Sequence, residues 1–152
     1  LNSLVQEVTQ SFDDYDPTTA TRKIQNFVIN DLSKWYVRLN RKRYWGGQYD
    51  DDKLAAYQTL YECLMTISIL MSPIAPFYAE RLFQDLNAVT KEYPELSVHL
   101  TKFPEADTAV INKQLEMQMD LAQRITSMLL ALRRKVKIKV RQPLAKALIP
   151  VL

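Results

Sequence analysis

DDKLAAYQTLYECLMTISILM, residues 51 to 71, decides how the rest of the chain must fold. It opens on Asp51 and Asp52 directly after Asp50, which suits the capped, electropositive start of a helix. No glycine or proline interrupts it, and beyond Leu60 it is apolar nearly all round, as a helix at the centre of a bundle is. Ser72-Pro73 stops it. The apolar run from Leu64 to Ala79 is broken by Thr66, Ser68, Ser72, Pro73 and Pro76, and falls short of the ~20 residues a membrane span needs. It reads as a buried helix and a turn, with no membrane expected as a partner.

Upstream, a first helix is expected to about Tyr15. Asp16-Pro17 then gives an N-cap followed by proline at the first helical position. The second helix runs to about Asn40 with an apolar stripe at Ile24, Phe27, Val28, Leu32, Trp35 and Leu39, which puts Trp35 in the core. Gly46-Gly47 ends this unit. Downstream, a helix is expected from about Ala75 to Leu86, then a connection carrying Pro94 and Pro104. The last helix spans about Thr108 to Arg134, its seam formed by Ile111, Leu115, Gln118, Ala122, Ile125, Leu129 and Leu132. Lys137 to Arg141 alternates charge and aliphatic, the pattern of a short strand with one basic face. The predicted class is all-α: a bundle of about five helices over roughly 1–134, and a basic strand-like appendage over roughly 135–152.

The 152 residues, 47% hydrophobic and 24% charged, suit one globular domain. Cys63 is the only cysteine and cannot form an internal disulfide, and no leader pattern is visible, so the cytoplasm is expected. The chain starts at Leu1 inside an apolar pattern and reads as a piece of a longer protein. The net charge of +3 is unevenly spread. Residues 1 to 120 carry twelve Lys and Arg against seventeen Asp and Glu, whereas 121 to 152 carry eight cations and no acid. That separation suggests a polyanion meeting part of the surface.

The inventory disfavours catalysis. His99 is the only histidine and has no neighbouring cysteine, Cys63 lies in an apolar helix as a small hydrophobe, and two adjacent glycines make no phosphate-cradling loop. Asp50 to Asp52 read as helix caps rather than a cation site. No cofactor or metal is expected within these residues.

The stretch KWYVRLNRKRYW, 34 to 45, holds five cations, four aromatic rings and no acid. Cations beside exposed rings suit unpaired RNA, whose bases stack on aromatic and guanidinium planes. Arg38, Arg41, Lys42, Arg43 and Trp45 are therefore placed on an RNA side. A further basic row follows at Arg133, Arg134, Lys135, Lys137, Lys139 and Arg141; cations can blunt a sheet edge, but six without a compensating acid exceed that need and suit phosphates, with Lys137, Lys139 and Arg141 expected as the contacts. A helical protein-interaction module with basic patches is the alternative.

Four ordered blocks, FDDYDPTTATRKIQNFVINDLSKWYVRLNRKRYW, DDKLAAYQTLYECLMTISILMSPIAPFYAERLFQDL, SVHLTKFPE and KIKVRQPLAKALIP, resemble the anticodon-binding region of the class I isoleucyl-tRNA synthetases. The valine enzymes and other class I relatives are the alternative within that superfamily. The resemblance implies a helical bundle that docks on the anticodon stem-loop of a tRNA, beside the catalytic domain of its parent chain, with no DNA partner. It also implies ATP and zinc for the parent. The family's two ATP-handling signatures and its cysteine-rich zinc element are not among these residues.

Overall fold

In a computed structural model describing residues 1–149, the helix at Asp51–Met71 forms over the expected bounds. The last three positions of the expected appendage, 150–152, lie outside the described residues. The chain divides into two compact units, Leu1–Ile111 and a second beginning at Asn112.

In the first unit, α1 (Asn2–Asp13), α2 (Pro17–Asn26), a short α3 (Arg41–Trp45), α4 (Asp51–Met71) and α5 (Pro76–Thr90) follow one another. Helix α4 is the axis because it is apolar on two faces. Cys63, Ile67 and Leu70, at helical spacing, meet Leu4, Val5 and Val8 of α1, Ala20 and Ile24 of α2, and Leu32. Met65 and Ile69, on another face, meet Ala79 and Phe83 of α5 and Val98 of a 3-10 turn at Val98–Leu100. By length and composition α4 could cross a membrane; here it contributes to both clusters. Burial pushes the Cys63 thiol up in pKa, as an inert core cysteine requires.

Local signals set the ends. Asp16 caps α2 by accepting from the Thr19 N–H at 2.9 Å, and Asp50 caps α4 through the Lys53 N–H at 2.8 Å. Asp16 is held below its usual pKa, chiefly by the Thr19 hydroxyl bond and then by that N–H. Helix α5 begins on Pro76 and runs past the expected Leu86 to Thr90, where Lys91 turns left-handed at φ 54°. Its Glu80 carboxylate accepts from Ser97 Oγ at 2.8 Å and the Val98 N–H at 2.9 Å. Burial works against that charge, but these bonds outweigh it and hold the Glu80 carboxyl below its usual range.

The second helix departs from the expected pattern. After Asn26 the backbone widens into a π-helix over Phe27–Val37, closing with the Arg38 N–H on the Ser33 carbonyl five residues back. The predicted stripe assumed 3.6 residues per turn. The wider turn carries Tyr36 onto the core beside buried Leu32, leaves Trp35 only half-buried, and turns Leu39 out at 61% exposure.

In the second unit, a helix at Lys113–Lys135 (α6) is capped by Asn112, which accepts from the Leu115 N–H at 3.0 Å. The expected start at Thr108 is instead a separate 3-10 turn, Thr108–Val110, of the first unit. The expected β segment at Lys137 to Arg141 does not form, and there is no strand among the described residues. A strand needs a neighbour to pair with, whereas here the chain closes on itself. Ile138 N–H donates to Arg133 O at 2.9 Å, Lys137 turns left-handed at φ 57°, and Gln142 N–H donates to Lys139 O at 3.0 Å. The Arg133 guanidinium gathers the Lys139 and Gln142 carbonyls through Nη1 at 2.9 and 2.8 Å. Within the expected strand, the Lys139 carbonyl and, at 3.3 Å, the Val140 carbonyl are taken by that one side chain.

Candidate nucleic-acid interface

Five residues are too few to make a helix stable by itself, so α3 takes its position from what it rests on. Tyr44 is its anchor. The ring is 8% exposed, meets Tyr57 edge-on at 5.2 Å, and its hydroxyl joins that of Tyr36 on the Ala56 carbonyl of α4, at 3.4 and 3.3 Å. Tyr57 Oη in turn donates to the Tyr44 carbonyl at 3.3 Å. Burial, followed by the neighbouring Tyr36, pushes the Tyr44 phenol up to about 12.

Arg43 adds a fork. Nε donates to Asp52 Oδ2 at 2.7 Å, Nη2 to Asp52 Oδ1 at 2.7 Å and to the Asp52 carbonyl at 2.8 Å, and Nη1 to Asn40 Oδ1 at 3.0 Å. The bond to Asp52 raises the guanidinium's pKa further. Asn40 also donates to the Tyr36 carbonyl at 2.9 Å and so ties the end of the preceding helix to α3.

The opposite arc of α3 stays open. The Arg41 guanidinium lies 5.0 Å from the centre of the Trp45 ring, which is 78% exposed. An open cleft of about 680 Å³ is lined by Arg38, Leu39, Arg41, Lys42, Trp45 and Gly46. Gly46 is needed there: its N–H donates to the Lys42 carbonyl at 3.0 Å, and a Cβ would come within 2.8 Å of that oxygen. Gly47 then turns left-handed at φ 66°, and Lys53 of α4 donates to the Gly46 carbonyl at 3.3 Å.

Of the residues expected on an RNA side, Arg38, Arg41, Lys42 and Trp45 come together in this cleft, while the Arg43 guanidinium is taken up by Asp52 and Asn40. Lys137, Lys139 and Arg141 belong to the second unit, where all three are exposed. Sequence reasoning missed Leu39 and Gly46 as cleft walls and Asp52 as the partner of Arg43. Spacing offers no signal for that pair, since nine positions and a glycine turn separate them. Asp50 acts as the expected cap.

The donor set does not suit zinc. The chain has one cysteine and one histidine, Cys63 being buried in α4 and His99 exposed in the 3-10 turn, and no cluster of three metal-ligating side chains exists among the described residues.

Residues 1–149 match the family model described as the anticodon-binding domain of tRNA ligase. Proteins named isoleucine–tRNA ligase are similar across nearly the whole chain: 60% identical in Bacteroides fragilis over 99% of it, 55% in Cytophaga hutchinsonii over 100%, and 41% in Thermus thermophilus over 98%. The chain spans only 13 to 14% of the length of these relatives. An all-α fold, a cation-lined cleft beside an exposed indole, and this match agree: the chain belongs to the anticodon-binding domain family of tRNA ligases.

Proposed function

We propose that this chain recognises the anticodon stem-loop of an isoleucine tRNA, as part of a cytoplasmic enzyme that joins isoleucine to that tRNA at the expense of ATP. In this reading Arg38, Arg41 and Lys42 hold phosphates around the cleft, and Trp45 stacks on a base splayed from the loop. Arg43 belongs to the same site. Lys137, Lys139 and Arg141 of the second unit add phosphate contacts. Phosphate contacts position the domain, and ring and edge contacts read the unpaired bases. The anticodon end, once held, helps place the acceptor end in the parent's catalytic domain.

The observation that carries the reading is the Arg41–Trp45 pair: an indole 78% exposed with a guanidinium 5.0 Å from its centre. A ring left in water in this way is unusual in a core-building role, and stacking a base on such a ring is worth ~1–3 kcal/mol. Titrating a labelled isoleucine-tRNA transcript into the chain tests it. Trp45→Ala and the Arg41→Ala/Lys42→Ala pair are each expected to weaken binding about tenfold or more with the helical spectrum retained. Affinity unchanged by both variants at two salt concentrations would count against the reading. Aminoacylation by the full-length parent with isoleucine and with valine separates those two specificities.

A further inference from the structure

We propose that Arg43 is a positioning residue, whose fork onto Asp52 sets the angle at which α3 presents Arg41, Lys42 and Trp45 to RNA. The inference rests on the RNA-binding reading above and assigns this side chain a role other than contact. Along α3 the helical period separates two arcs. Positions 41, 42 and 45 share the open one and line the cleft, whereas 43 and 44 share the other, Tyr44 being buried and Arg43 bonded to α4. Four donor contacts of the Arg43 guanidinium go to the protein, two of them parallel N–H bonds to the Asp52 carboxylate at 2.7 Å. A fork committed in this way has little left to offer a phosphate, and its planar, two-bond grip fixes orientation as a lysine cannot.

The other ties of α3 to α4 are the buried Tyr44 with its longer hydroxyl bonds at 3.3 to 3.4 Å and Lys53 on the Gly46 carbonyl at 3.3 Å; the Asp52 fork is the shortest of them. Gly46 and Gly47 follow immediately, and a five-residue helix has no rigidity of its own. Asp52 sits in the first turn of α4, so the fork links the open arc to the helix that contributes to both core clusters of the first unit. The pair is partly exposed, at 31% and 67% for the two side chains, and pairs of this kind add little to overall stability. Its loss is therefore felt as a change in the angle of α3 more than as unfolding.

The sign of one substitution separates positioning from charge. Asp52→Ala removes an acid close to a cationic cleft; if field alone mattered, a polyanion would bind more tightly. Positioning requires the reverse. With a fluorescent isoleucine-tRNA transcript, Asp52→Ala is expected to bind about fivefold more weakly, while Asp51→Ala, which removes the same charge one residue earlier, binds as well as the unsubstituted chain or better. Arg43→Lys keeps the charge and loses the fork, and is expected to match Asp52→Ala. Circular dichroism and thermal unfolding check that each variant folds; should Asp52→Ala fail to, Asp52→Asn, which leaves Arg43 intact and removes the charged half of the fork, takes its place. Binding by Asp52→Ala or Arg43→Lys as tight as that of the unsubstituted chain overturns the inference. If the unsubstituted chain shows no salt-dependent binding, the functional reading itself fails, and the two failures are thereby told apart.

Discussion

Tyr44 lies among cations in sequence and in the core in space, and this gives its phenol an unusual titration. The folded chain holds the proton with a pKa pushed up to about 12, against ~10 for a free tyrosine. Between those values the folded state binds more protons than the unfolded one, so stability falls as pH rises from about 10 and the loss is complete near 12. The Cys63 thiol is shifted the same way by burial, so total stability alone does not isolate the tyrosine. Comparison with Tyr44→Phe does. The difference in unfolding free energy between the two proteins is expected to shrink by about 2 kcal/mol across pH 10 to 12; a difference that stays constant would show that the ring is not sealed. At this scale, much of the candidate cleft's lining was legible. Cations and rings on a helix end are a local pattern, and Arg41, Lys42 and Trp45 are exposed as that pattern implies. Arg43 shared the pattern, but its role depends on Asp52, which only the turn between α3 and α4 brings near.

The helices divide in the same way. Helix α4 was legible because its ends are marked by Asp50 and Pro73 and its apolar character does not depend on register. The second helix was legible as a helix and not as a π-helix, because widening a turn leaves composition and spacing unchanged while moving every later side chain around the axis. The tail failed for the opposite reason: its alternation is real, but a strand requires a partner edge and the Lys139 and Val140 carbonyls go to Arg133. The π register makes a testable division within one stripe. Leu32 is 6% exposed and Leu39 61%. Leu32→Ala is expected to cost about 2 to 5 kcal/mol of unfolding free energy, and Leu39→Ala less than about 0.5 kcal/mol. Denaturant unfolding of both variants measures this. A comparable loss at Leu39 would restore the continuous stripe with Trp35 at its centre.

Over the whole chain, acids outnumber cations up to residue 120, and every charge after it is positive. Binding a polyanion against a net negative first part demands cations gathered locally, which the cleft at Arg38, Arg41 and Lys42 supplies and the tail supplies again. Lys137, Lys139 and Arg141 are exposed and take part in no ion pair among the described residues. Their side chains have no acid to release before meeting a phosphate. Each phosphate neutralised releases counterions, so the logarithm of the binding constant should fall with that of salt, by ~0.7 per contact on single strands and ~0.9 on duplex. If all six of these cations engage, the slope for tRNA is expected at about 4 to 5. Replacing Lys137, Lys139 and Arg141 together by alanine should lower it by about 2 to 3 while the helical signal and unfolding midpoint stay in place. A slope untouched by that triple replacement would confine RNA binding to the cleft of the first unit and leave the basic tail without a phosphate partner.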